Sequence, residues 1–220
     1  VRIGILGGTF DPPHIGHILA ASDAHEALNL DGVLFIPAAQ QPLKAHLPNG
    51  PAGQQSTRAS APDRLEMVRL AIADDSRFTV SAIEIERGGL SYTIDTLREL
   101  ARSSPGDTRF LLVGADVLAT FAQWRQPEEI LQLATLAVFT RTVSDVGVAG
   151  ASGGRDQASL AVRWKATHGR AAGHEPVFLE SRRVDVSSTE VRARVAAGRS
   201  IHGFVPDAVA NYIATHRLYC

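Results

Sequence analysis

The stretch "RIGILGGTFDPPHIGH", residues 2–17, decides the reading of the fold. Its first part, "RIGIL" (2–6), is a short β-branched apolar run that stops at the glycine pair Gly7–Gly8. Such a run reads as a buried strand of a parallel sheet. Residues 15–28 read as a helix, with Ile18, Leu19 and Leu28 apolar, and "GVLFIP" (32–37) as a second strand closed by Pro37. Strand, glycine turn, helix, strand is a βαβ unit.

The same alternation continues outward. Residues 38–62 are rich in Pro, Gln, Ser and Ala without a period, and read as a mobile loop. "DRLEMVRLAIAD" (63–74) has Leu65, Met67, Val68 and Ile72 at helical spacing. "FTVSAIEIE" (78–86) reads as a strand region, "YTIDTLRELARS" (92–103) as a helix, and "RFLLVG" (109–114) and "ATLAVFTR" (134–141) as strands. Residues 142–156 read as a glycine-rich loop, "PVFLE" (176–180) as a last strand, and 188–198 and 206–216 as two helices, a helical C-terminal part from about 187 to 220. The expectation is one α/β domain over 1–220: a doubly wound, Rossmann-like parallel sheet with helices on both faces. Its ligands should bind at the C-terminal strand ends.

Composition narrows the function classes. The chain has 220 residues, 45% of them hydrophobic, and a net charge of −1. That charge gives no global footprint for nucleic acid. One cysteine, Cys220, makes neither a disulfide framework nor a cysteine zinc site within one chain. No apolar run reaches the ~18 residues of a membrane span, and no leader pattern precedes the first strand. The expectation is a cytoplasmic protein acting on small molecules, without nucleic acid or membrane; homo-oligomerisation stays open.

Gly7, Gly8 and Thr9 lie between a strand and a helix, where bare backbone N–H groups can approach a phosphate. The pattern is neither GxGxxG nor the lysine-bearing P-loop, and a glycine pair alone also reads as a plain turn. His14 and His17, three apart, share one helix face. Two imidazoles there can donate hydrogen bonds to phosphate oxygens, as cations or as suitable neutral tautomers. Only Asp11 could join them in a metal set, so no metal ligand is assigned. At the far end, Ser187, Ser188 and Thr189 open a helix, and Arg192 can reach back over that end. Hydroxyls, amides and a guanidinium make a phosphate clamp. Ser187 and Glu190 also have capping-box spacing, and a capped helix end can still bind an anion.

"GGTFDPPHIGH" with "SSTEVR" resembles the nucleotidyltransferase superfamily with HxGH and [ST]-[ST]-x-x-[IV]-R motifs. Within it, the chain is similar to the bacterial nicotinate-mononucleotide adenylyltransferases. "IPAAQQPLK", "RLEMVRLAI", "SYTIDTL", "LLVGADVLATFAQW" and "VPDAVANYI…LY" extend the likeness over nearly the whole length. HIGH also marks class I aminoacyl-tRNA synthetases, but a KMSKS-type lysine loop is absent and the length leaves no room for tRNA-reading domains.

The resemblance implies transfer of the adenylyl group of ATP, with Mg²⁺, to nicotinate mononucleotide by direct in-line attack. Catalytic roles fall to His17, His14 and Arg192. Gly7, Gly8, Thr9, Phe10, Lys44, Gly114, Asp116, Ser187, Ser188 and Thr189 would hold ATP or phosphate. Ser91, Tyr92, Thr93 and Trp124 would bind the nicotinate nucleotide. Backbone N–H groups at the helix start near Tyr92 suit a carboxylate, which favours nicotinate over nicotinamide. Nicotinamide mononucleotide and phosphopantetheine are the alternative acceptors, and a non-catalytic nucleotide-binding module is the alternative class. The chain departs from the family pattern in "PLKAH" where "PPHK" is common, in the polar insert at 47–62, in Thr142–Val143 after Arg141, and in the long segment 142–175.

Overall fold

Strand β1 (Arg2–Gly8) lies between two parallel neighbours, β2 (Gly32–Pro37) and β4 (Thr108–Gly114). The computed structural model describes residues 1–42, 59–141, 164, 175–182 and 184–220. Within these, β3 (Phe78–Val80), β5 (Thr135–Arg141) and β6 (Val177–Ser181) complete a parallel sheet in the order β3-β2-β1-β4-β5-β6. The chain winds outward from β1 to β3, then crosses back to β4 and winds the other way. This is the doubly wound order, and its reversal lies between β1 and β4. These two strands pair only from Arg2↔Thr108 to Ile5↔Leu111, although β1 runs on to Gly8 and β4 to Gly114. Their last three residues therefore separate, and a crevice opens at the C-terminal edge.

Alternation along the strands explains why both faces are covered. Leu6, Val33, Phe35 and Leu112 belong to a core on one face, with Ala21 and Ala24 of α1 (Ile15–Ala27) and Val68 and Ile72 of α2 (Ala61–Ile72). Ile5, Ile36, Leu111 and Val113 face the other way, against Ile94 and Leu97 of α4 (Thr93–Ser103) and Ile130 and Leu131 of α5 (Pro127–Leu133). A strand buried on both sides needs a continuous apolar run, as these strands have. A third cluster joins Met67 of α2 to Val191 of α6 (Ser188–Ala196), to Val209 and Ile213 of α7 (Asp207–Thr215), and to Tyr219. It fastens the C-terminal helices to the sheet's N-terminal half.

Some elements differ from the sequence expectation. The strand expected over 78–86 ends at Val80, and Ile83–Arg87 is a short helix, α3. Ser81 accepts the Ile83 N–H through Oγ (3.3 Å), which favours the turn over continued pairing. Of the loop expected over 38–62, the described ends are held: Gln40 bridges Leu90, and Ser60 caps α2 by accepting from Asp63 N–H (3.2 Å). Its residues 43–58, and the glycine-rich stretch expected at 142–156, lie outside the described residues. Helix α5 and two 3₁₀ turns, Ala115–Ala119 and Phe121–Gln123, are additions to the sequence reading. Among the described residues, no helix is long and apolar enough to cross a membrane.

Candidate active site

The separated ends of β1 and β4 open into two cavities. One, of about 270 Å³, is bounded by Leu6, His14, His17, Gly114, Phe139 and Arg182. The other, of about 240 Å³, is bounded by Gly7, Gly8, Glu84, Tyr92, Thr93 and Trp124. Both are near the size of small-molecule sites and lie where open α/β sheets bind ligands.

His14 is the N-cap of α1 and His17 lies in its first turn. Their rings lie against each other, 3.8 Å between centroids and tilted by 30°. His17 Nδ1 accepts the main-chain N–H of His14 (3.1 Å). A neutral His17 must therefore carry its proton on Nε2, as a donor. Burial lowers His14 to a pKa of about 4, and burial together with the neighbouring His14 lowers His17 to about 3. Of the two charge states the sequence allowed, both rings are neutral near pH 7. His14 Nδ1 is buried without a hydrogen-bond partner. A Cβ at Gly16 would come 3.1 Å from the His14 ring, so glycine leaves that ring its place. Phe10, a residue expected at the phosphates, has its side chain only 2% exposed. Its ring packs edge-on against His17 (5.0 Å) and near Phe35 (5.8 Å). Only its backbone can meet a ligand; its ring supports the histidine.

The two motifs at opposite ends of the chain meet. Ser188 Oγ donates to the Pro12 carbonyl (2.8 Å), and an Arg192 N–H donates to the Asp11 carbonyl (2.7 Å). Arg192 also donates to Thr189 Oγ1 (3.3 Å). Ser187 Oγ accepts from Glu190 N–H (3.1 Å), so the cap expected from the spacing is made. Because Ser188 gives its proton to Pro12, a ligand at this helix end would meet its backbone N–H rather than its hydroxyl. Arg64 donates to the carbonyls of Thr9 (2.7 Å) and Ala39 (3.1 Å), bracing the glycine loop from beneath. Gly114 ends β4, and exposed Asp116 lies in the following 3₁₀ turn. A Cβ at Gly114 would stand 2.5 Å from Asp116 Oδ1, so the carboxylate folds over the glycine.

In the second cavity, Tyr92 is the N-cap of α4 and Thr93 its first residue. Ser91 Oγ accepts the Ala39 N–H (2.9 Å), and Ser91 N–H donates to the Gln40 carbonyl (2.8 Å). These bonds hold the helix start against the end of β2. The Trp124 ring leans on Phe121 (5.5 Å), and its Nε1 is buried without a partner. Lys44 lies outside the described residues. Two residues absent from the sequence reading also line this cavity. Arg125 stacks over the Tyr92 ring (4.9 Å) and pairs with Asp95 (3.3 Å). Buried Glu84 accepts from Thr96 Oγ1 (2.6 Å). Arg125 adjoins Trp124 and so had a signal; Glu84 was hidden by reading its segment as a strand.

The model of the cytidylyltransferase-like family matches residues 5–194. A relative from Gemmatimonas aurantiaca, named probable nicotinate-nucleotide adenylyltransferase, is 44% identical over 220 residues, 100% of this chain and 92% of its own. One of the same name from Thermus thermophilus is 42% identical, with 100% of both chains covered. Among solved structures, the Plasmodium falciparum nicotinic acid mononucleotide adenylyltransferase complexed with NaAD matches with a TM-score of 0.68 at 16% identity, covering 99% of this chain and 97% of that one. That match shows the shared fold, and the full-length identity above 40% carries the assignment further. This chain belongs to the nicotinate-nucleotide adenylyltransferase family, within the cytidylyltransferase-like proteins.

Proposed function

We propose that this chain transfers the adenylyl group of ATP to nicotinate mononucleotide, giving nicotinate adenine dinucleotide and pyrophosphate for NAD synthesis. The observation that carries this reading is the pair of cavities on either side of the split between β1 and β4. One presents neutral imidazoles to phosphates. The other presents a helix start and an indole to a flat, anionic ring.

A 5′-phosphate oxygen of the mononucleotide attacks the α-phosphorus of ATP. A new O–P bond forms, the bond from the α-phosphorus to the bridging oxygen breaks, and pyrophosphate takes that electron pair. Catalysis of this kind is positioning and charge stabilisation. The His17 Nε2–H donates to oxygens that gain charge, and His14 lies beside it. The N-terminus of α6, with Arg192 and Thr189, holds the leaving side. The Gly7–Gly8 backbone and Thr9 seat the acceptor phosphate and the triphosphate, and Asp116 accepts from ribose hydroxyls. Lys44 is assigned to the triphosphate by family likeness alone.

Among the described residues, no group of three or more His, Cys, Asp or Glu side chains could hold a metal ion. A Mg²⁺ arriving with ATP would take its ligands from phosphate oxygens and water. When bound, it supplies charge neutralisation on the phosphates.

The first N–H groups of α4 lack intrahelical partners and favour a carboxylate over a neutral amide. The test is pyrophosphate release from ATP–Mg²⁺ with nicotinate mononucleotide, nicotinamide mononucleotide and phosphopantetheine offered separately, with chromatography of the products. A new dinucleotide with the nicotinate acceptor is expected. Release only with another acceptor would overturn the assignment of the Tyr92–Trp124 cavity. ATP binding without release from any acceptor would favour a non-catalytic module.

A further inference from the structure

The C-terminal residues do something that neither phosphate motif explains. After α7 the chain takes left-handed backbone at Arg217 (φ 50) and Tyr219 (φ 66), a conformation unfavourable for residues with side chains. The turn carries Tyr219 inward until it is 4% exposed, although Leu218 and Cys220 on either side are less buried. Its hydroxyl donates to Asp11 Oδ1 (2.7 Å), in the middle of the loop joining the glycine pair to the histidines. The same Oδ1 accepts the Ala59 N–H (3.1 Å). Asp11 is itself 4% exposed, and its main-chain carbonyl is the one that receives Arg192 (2.7 Å).

Asp11 thus holds three parts of the chain together: the C-terminus and the approach to α2 through its carboxylate, and α6 through its carbonyl. A buried carboxylate must keep its donors or bear the full cost of desolvation. The phenol remains a neutral donor, because burial and the Asp11 charge push its ionisation far above the usual tyrosine range. Shifting Asp11 displaces the acceptor that orients Arg192, and with it the turn leading to His14.

We propose that Tyr219 is a positioning residue for the phosphate site: its hydrogen bond to Asp11 fixes the carbonyl on which the Arg192 guanidinium rests. The proposal rests on the assignment of Arg192 to the leaving pyrophosphate.

The experiment is calorimetric titration of the full chain with inorganic pyrophosphate, beside steady-state kinetics with ATP–Mg²⁺ and nicotinate mononucleotide. Tyr219→Phe removes one hydroxyl and is expected to weaken pyrophosphate binding roughly fivefold. It should lower kcat to a similar degree and leave KM for the mononucleotide within about twofold. Asp11→Ala, which also frees the Ala59 N–H, should weaken pyrophosphate binding at least as much, and the double variant should be no worse than Asp11→Ala alone, because the Tyr219 link is already broken in it. Tyr212→Phe removes a hydroxyl bonded to Asp63 on the same C-terminal side (3.0 Å), and should leave pyrophosphate affinity unchanged. Unchanged affinity in Tyr219→Phe, equal losses in Tyr219→Phe and Tyr212→Phe, or additive losses in the double variant would each overturn the proposal. Should Tyr219→Phe fail to fold, the Asp11→Ala titration decides alone. If the wild-type chain makes no dinucleotide, the functional reading fails, while the pyrophosphate titrations still decide the role of Tyr219.

Discussion

The two cavities differ in how far along the chain their ties reach. The histidine side is held by bonds between residues far apart in the chain: Ser188 to Pro12, Arg192 to Asp11 and Tyr219 to Asp11. The tryptophan side is tied over shorter spans: Ser91 to Ala39 and Gln40, and Arg125 to Asp95. Its walls combine 91–93 and 123–125 with Gly7 and Gly8 of β1 and Glu84; left-handed Gly88 and Gly89 precede the first segment, and short 3₁₀ turns flank the second. The difference matches the proposed chemistry. Stabilising charge in a transition state needs donors fixed in advance, whereas recognising an acceptor needs mainly a shaped apolar wall and one favourable dipole.

The sharpest way to break this comparison is His17→Ala. Turnover should fall roughly a thousandfold, as for loss of one well-placed oxyanion donor, with a cooperative thermal transition retained. Near-normal turnover in steady-state kinetics would remove His17 from the proposed role. Trp124→Ala probes the other side. KM for nicotinate mononucleotide should rise roughly tenfold, the scale of a buried aromatic anchor, with KM for ATP almost unchanged. A parallel rise in both would mean that the cavities do not work separately.

The histidines also predict a pH signature. Their folded-state pKa values, about 4 and about 3, lie below the ordinary 6.5. The unfolded chain therefore binds protons first as pH falls. Their neutral burial is free of penalty above pH 6.5, and stability drops as pH descends towards 4 and 3. Over the middle of that window each histidine contributes a slope of about 1.4 kcal/mol per pH unit. Denaturant titrations of wild type and the His14→Ala/His17→Ala double variant from pH 7 to 4.5 should differ in slope by about 2.8 kcal/mol per pH unit in the middle of the window, the sum for two histidines, and parallel curves would contradict it. The smallest effect belongs to Gly114→Ala. The added methyl displaces the Asp116 carboxylate rather than backbone. ATP affinity should fall roughly threefold, with a melting temperature close to wild type; a large loss of stability would show that the contact is not confined to that side chain.

Legibility in the sequence follows the same division. The β1 run, the glycine pair and the paired histidines are adjacent in sequence, so pattern and spacing suffice to place them on one strand end. The N-cap at Ser187 is legible from its spacing to Glu190, and the structure shows the bond. What resists reading has one of two causes. Helix α5 has seven residues, too few for a period, and it starts after Gln126 in left-handed backbone. The "IEIE" of residues 83–86 alternates like a strand, yet Ser81 turns it into a helix that buries Glu84. The Asp11–Tyr219 bond crosses almost the whole chain, and no local pattern announces it. Tertiary closure creates such links, while propensity and periodicity report only on neighbours.

The hydrogen bond from the His14 main chain to His17 Nδ1 has a consequence for the end of the catalytic cycle. With phosphate bound as proposed, the imidazole faces it as a dipole, not a counter-ion. A dipole placed for a transient build-up of negative charge stabilises it while it is close, and loses its hold quickly as the anion recedes. Two fixed cations at the same place would retain a highly charged product long after the bond had broken. Under the proposed function, neutral histidines therefore favour rapid departure of pyrophosphate, with only a weak dependence on ionic strength for this part of the site.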